Sequence, residues 1–190
     1  MVCASSVVLL LACGGSQQSS EPAVSPEAPV TEPEGSAPAV ESTPPATVHV
    51  ELHPKSGSQL SGTATLSETP EGVKVSLNIE NVSPGEHGAH VHETGDCSAA
   101  DGASAGGHFN PGAQPHALPV TNPRHLGDLG NISVGADGKG SIDIVAPGAN
   151  LQPGNPNSFL GRAIIVHEKK DDGGQPTGNA GGRIGCGEVK

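Results

Sequence analysis

From residue 47 onward, apolar residues alternate with polar ones in short runs, and no run keeps a helical period. Val73, Val75, Leu77 and Ile79 are the cleanest case, a period of two that places all four on one face of a strand. Residues 47–52 and 59–66 repeat the pattern. Residues 131–145 read as a hairpin, with Ile132 and Val134 on one arm, a turn at Asp137-Gly138, and Ile142 and Ile144 on the other. Residues 89–92, 163–167 and 183–189 are further strand candidates. The chain has 28 Gly and 18 Pro, 2 Phe, and no Trp or Tyr. Its core must therefore come from Val, Ile, Leu and Ala, which suits strands joined by many turns better than a helical bundle. Roughly eight short strands predict an all-β antiparallel sandwich or barrel. Two long connections interrupt it, residues 93–129 and 168–182, and loops of that length are usually functional.

Residues 1–46 lack this pattern. Residues 7–12 are a short apolar run, and Leu10-Leu11-Ala12-Cys13 resembles the bacterial lipobox, in which the cysteine is lipidated and becomes the new N-terminus. On that reading residues 1–12 are a lipoprotein signal peptide; an ordinary signal peptide with an incidental cysteine is the plainer alternative. Residues 13–46 are then lipidated Cys13 and a Pro/Ser/Glu-rich tether without Lys or Arg, too poor in apolar side chains to fold by itself and so expected to be disordered. The folded domain is expected over residues 47–190. No apolar stretch is long enough for a transmembrane helix, so membrane contact is expected only through the N-terminal lipid. The expected location is the periplasmic side of a bacterial cell envelope; Gly14 after Cys13, in place of Asp, points toward the outer membrane. A net charge of −11 argues against nucleic acid as a partner. Of the four cysteines, Cys3 lies in the removed segment and Cys13 is the lipid site. Cys97 and Cys186 remain, and an even pair in an exported protein predicts a disulfide.

Nine histidines is a high count, and seven of them fall between His87 and His167. His90-Val91-His92 places two imidazoles on one face of a strand, with Val91 directed into the core. His108, His116, His125 and Asp128 supply three imidazoles and a carboxylate from a single loop, a set suited to tetrahedral zinc with no open position. His167 ends the apolar run Ile164-Ile165-Val166 and could complete a second, imidazole-rich site with His90 and His92, which suits copper.

With these residues in view, a family resemblance is specific. Gly88-Ala89-His90-Val91-His92-Glu93, Gly106-Gly107-His108-Phe109-Asn110-Pro111, His125-Leu126-Gly127-Asp128-Leu129-Gly130-Asn131, the segment 161–169 from Gly161-Arg162 to Glu168-Lys169, and Gly178-Asn179-Ala180-Gly181-Gly182-Arg183 resemble, in order, the copper,zinc superoxide dismutases. The resemblance covers nearly all of residues 47–190. It implies an eight-stranded antiparallel Greek-key β-barrel or sandwich, immunoglobulin-like, with two long functional loops. It implies one copper and one zinc ion per subunit, with superoxide anion as substrate and disproportionation by Cu(II)/Cu(I) cycling. His90, His92, His108 and His167 would hold copper; His108, His116, His125 and Asp128 would hold zinc, His108 bridging the two and taking part in catalysis. Asp171 resembles the carboxylate that links His90 to His116. Arg183 resembles the arginine that attracts superoxide, and Cys97 and Cys186 resemble the family disulfide; by charge alone Lys169 and Lys170 are candidate helpers of Arg183, and the resemblance does not say which lysines steer. His49, His53 and His87 match no ligand position. A homodimer is one state the resemblance allows. Two other readings compete: a catalytically silent relative of the same fold, and a periplasmic copper carrier, against which the single Met counts.

Overall fold

The computed structural model describes residues 46–190; the expected signal peptide, Cys13 and the tether as far as residue 45 lie outside the described residues. Eight strands form: β1 (Thr47–Pro54), β2 (Ser61–Thr69), β3 (Gly72–Glu80), β4 (Gly85–His92), β5 (Asp128–Val134), β6 (Gly140–Pro147), β7 (Ala163–His167) and β8 (Arg183–Glu188). They close into a barrel in the order β1-β2-β3-β6-β5-β4-β7-β8, with His53 and Pro54 pairing back onto Cys186 and Gly185. The pairs are antiparallel throughout. Two connections join strands that are not neighbours, residues 81–84 between β3 and β4 and residues 148–162 between β6 and β7. These give the barrel its Greek-key path. Closure also removes any free strand edge.

Alternation decides which side chains enter the barrel. Val73, Val75, Leu77 and Ile79 are buried along β3, and Val50, Leu52, Ala64 and Leu66 meet them from β1 and β2. Burying one such side chain contributes on the order of 1.5–3 kcal/mol. Phe109 and Phe159 pack edge to face with ring centres 6.0 Å apart, and the Arg162 guanidinium sits 4.2 Å from the centre of the Phe109 ring. Among the described residues no helix is long and apolar enough to cross a membrane.

Three differences from the sequence reading have physical causes. β4 begins at Gly85 rather than at residue 89, because Gly85, Glu86, His87 and Gly88 pair with β5 through their backbones and carry no apolar period to announce it. The expected hairpin around Asp137-Gly138 does form, closed by the Gly135 N–H donating to Lys139 O at 2.9 Å, but β5 and β6 pair only at Ser133↔Ser141 and Val134↔Gly140. From there β6 runs along β3 instead, from Ile79↔Gly140 to Gly72↔Pro147. Residues 148–162 form a third long connection, pinned by side-chain turns in which Asn150 and Asn155 accept from the backbone two residues on.

Residues 93–127 and 168–182 lie over β4. The Val91 N–H donates to Gly127 O and the Phe109 N–H to Val91 O, both at 2.8 Å. The disulfide between Cys97 and Cys186, with Cα atoms 5.8 Å apart, ties the first loop to β8. From His87 onward both faces of β4 are therefore buried: His90, Val91 and His92 are all at most 1% exposed.

Candidate metal centre

The structure brings the sequence-selected residues into two groups that share one member. Ligand atoms of His90, His92, His108 and His167 lie within 4.8 Å of one another, as do those of His108, His116, His125 and Asp128, and every one of these side chains is buried. β4 supplies His90 and His92, β7 ends on His167, and β5 begins on Asp128. His108, His116 and His125 come from the loop between β4 and β5. His49, His53 and His87 stand outside both groups. His87 is buried, donating from Nδ1 to His167 O or from Nε2 to Ser83 O, each 2.9 Å away.

Hydrogen bonds determine which ring nitrogen is free. His90 donates from Nε2 to Asp171 Oδ2 at 2.8 Å, His92 from Nδ1 to Gly106 O at 2.9 Å, and His167 from Nδ1 to Gly181 O at 3.2 Å. Each ring's opposite nitrogen, His90 Nδ1, His92 Nε2 and His167 Nε2, is buried without a hydrogen-bond partner. A buried acceptor with no donor is costly. Three of them converging on one point fit a cation, with tautomer and ring orientation fixed from behind.

The second group is equally ordered. Asp128 Oδ2 accepts from the Ala117 and His125 N–H groups, each at 3.1 Å. Its Oδ1 lies 3.0–3.3 Å from Nδ1 of His116, His108 and His125. Three imidazole nitrogens around one carboxylate oxygen make a four-ligand N/O set of the kind that encloses tetrahedral zinc. Asp171 joins the groups from outside: Oδ2 accepts from His90 and Oδ1 from His116 Nε2 at 3.0 Å.

The electrostatics favour neutral imidazoles and charged carboxylates, the forms that bind metal. Burial, reinforced by neighbouring histidines, pushes His90 down to about 4 and His167 to about 3; burial lowers His92 and His125 too. Burial alone would raise Asp171, yet the donors His90, His116 and the Gly173 N–H hold it well below the usual carboxylate range. Asp128 is lowered against its burial in the same way, by His108 and the Ala117 N–H.

The sequence model of the family described as copper/zinc superoxide dismutase matches residues 60–189. The chain belongs to that family. Copper and zinc are the metals of the copper/zinc superoxide dismutases, and the paired groups agree with that in number and donor type. An extracellular Cu-Zn superoxide dismutase of Brugia pahangi is 41% identical over 157 residues, 77% of each chain. Among solved structures, a SOD-like protein from Bacillus subtilis is 36% identical, with a TM-score of 0.66 over 75% of this chain and 97% of that one. The clock protein EA4 is 38% identical, with a TM-score of 0.68 over 77% of this chain and 95% of its own.

Arg183 opens β8 beside the first group. Its Nη1 donates to Gly102 O and its Nη2 to Gly106 O, both at 2.6 Å, and Gly106 O is the acceptor that also orients His92. Of the two lysines expected to help it, Lys170 is paired with Glu86 Oε2 at 2.5 Å, which cancels most of its local field. Lys169 runs alongside Gly181.

Two side chains to which the sequence reading assigned no role grip the ligand loops. Asn131 donates from Nδ2 to Asp171 O and accepts from Asp171 N–H, at 2.9 and 2.7 Å. Gln175 does the same for His116, donating to its carbonyl at 2.6 Å and accepting from its N–H at 3.2 Å. Neither has a local sequence signal, since their partners lie 40 and 59 residues away.

Proposed function

We propose that the chain is a superoxide dismutase that converts two superoxide anions and two protons to dioxygen and hydrogen peroxide, with copper held by His90, His92, His108 and His167. Zinc is held by His108, His116, His125 and Asp128, so that His108 belongs to both sites. The observation that carries this reading is the set of three unpartnered nitrogens facing one point, next to a closed group that shares His108. Bound copper supplies one-electron oxidation and reduction, which zinc lacks, and zinc supplies structural closure.

The residues have separable tasks. His108 turns Nδ1 toward Asp128 and His125, which leaves Nε2 for the copper group. That nitrogen can hold a proton and pass it to the reduced substrate. Asp171 keeps His90 and His116 in single tautomers. Arg183 spends two donors on carbonyls and keeps others for an incoming anion. Burial lowers its affinity for a proton, but a guanidinium remains charged at any physiological pH.

The chain is further read as exported and lipid-anchored through Cys13 on the periplasmic side of the envelope, where it would protect against superoxide. A relative named as extracellular supports export. The test is to purify the protein, count copper and zinc, and measure superoxide loss. About one of each metal per chain together with activity is expected; full copper loading without activity would overturn the assignment. Mass spectrometry of the N-terminal peptide tests the lipid, and a Cys13→Ala protein should be released from membranes.

A further inference from the structure

Arg183 spans two carbonyls of one short stretch of loop, Gly102 and Gly106. Gly106 also orients His92. Whatever fixes residues 97–106 therefore fixes the arginine relative to the copper group. The disulfide is the covalent tie, and it does not act alone. Both peptide groups of Cys97 are held by charged side chains: Lys55 Nζ donates to the Cys97 carbonyl, and the Cys97 N–H donates to Glu188 Oε1 at 3.1 Å. One residue on, the Ser56 N–H donates to Ala100 O at 2.8 Å. The Lys55 segment is itself bound to β8, where Ile184 O accepts from the Lys55 N–H at 3.0 Å and from Ser58 Oγ at 2.6 Å. Lys55 follows β1 and Glu188 ends β8, and these strands are neighbours in the barrel. The two charges therefore reach the loop from the barrel wall. Hydrogen bonds to ionised groups are the stronger kind.

We propose that Lys55 and Glu188 form a second, non-covalent clamp on Cys97 that keeps residues 97–106, and through them Arg183, in place when the disulfide is absent. Both are positioning residues, since neither belongs to the metal groups. The disulfide stabilises the whole fold chiefly by restricting the unfolded chain, whereas the clamp acts locally on the loop. An enzyme built this way keeps its substrate-attracting face whatever the redox state of Cys97 and Cys186. The kinetic consequence rests on the role proposed above for Arg183; the structural one does not.

The test uses the full-length, metal-loaded protein in four forms: unaltered, Cys97→Ser with Cys186→Ser, Lys55→Met with Glu188→Gln, and all four substitutions together. The lysine and glutamate changes cancel in net charge, so steering is not altered by charge count. Amide hydrogen exchange over residues 97–106 is measured beside the rate of superoxide loss at several ionic strengths. Either pair alone should leave protection and rate within about threefold of the parent. All four together should raise exchange and lower the rate by roughly tenfold, and flatten the salt dependence, because Cys97 has then lost both its covalent tie and the charged partners of its two peptide groups. Restoring Glu188 together with Lys55→Arg should recover protection. Should the fourfold variant not fold, Lys55→Met in the cysteine-free protein carries the exchange comparison with a smaller change, about threefold. The clamp is overturned if the cysteine pair alone unlocks residues 97–106, or if removing Lys55 and Glu188 adds nothing to its effect. Loosened exchange at an unchanged rate supports the clamp and counts instead against the role of Arg183.

Discussion

Gly178 and Gly154 share a backbone angle, φ +77°, but not an environment. A Cβ at Gly154 would meet nothing within 4 Å. At Gly178 it would fall 2.0 Å from Asp171 Oδ1, 2.4 Å from Asp171 Cγ and 2.8 Å from His116 Nε2. Alanine at either position pays for the left-handed conformation, about 1–2 kcal/mol. At Gly178 it must in addition displace the Asp171 carboxylate, breaking its hydrogen bonds from His90 and His116. Bonds to charged groups contribute about 1.5–3 kcal/mol each, so Gly178→Ala should destabilise the metal-free protein by roughly 3–6 kcal/mol more than Gly154→Ala. The assay is urea unfolding of both variants after chelation, with midpoints converted through a common slope. Zinc retention against a chelator should fall in parallel for Gly178→Ala and not for Gly154→Ala. Equal losses of stability, within about 1 kcal/mol, would refute the reasoning, because the shared φ would then explain the whole effect.

Three further outcomes are expected. Arg183→Ala should slow superoxide loss by about tenfold or more and flatten its dependence on ionic strength; this family is itself a known example of electrostatic steering, and an unchanged rate and salt slope would remove the arginine from that role. The metal-free protein should lose stability as pH falls below about 6.5: His90 and His167 stay neutral in the fold down to about 4 and about 3, while an unfolded histidine takes its proton near 6.5, so the unfolded state binds more protons in between. Their contribution is complete above about 6.5 and lost toward pH 3–4, and a urea midpoint that is flat from pH 7.5 to 5 would contradict it. Phe159→Ala, at a fully buried site against Phe109, should cost about 3–5 kcal/mol in the same unfolding assay.

Much of this protein is written in local spacing. The period of two along β3 and the i, i+2 pair His90 and His92 need only strand geometry, and each strand expected from the sequence has a counterpart among the eight observed. The residue types of both metal groups and the pairing of Cys97 with Cys186 were legible as well, the first because ligand chemistry is restrictive and the second because only two cysteines lay outside the N-terminal segment. Tertiary structure decided the rest. That β4 is buried on both faces from His87 onward follows from two loops folding over it, which its own sequence does not encode. Which nitrogen of His90, His92 or His167 is free was settled by acceptors 81, 14 and 14 residues away. The grips of Asn131 and Gln175, the Lys170 pair with Glu86 and the hold on Cys97 are likewise contacts across the barrel's path. Periodicity reports what a segment does with its own backbone. The partners of a side chain depend on how the chain closes, and only the closed barrel shows them.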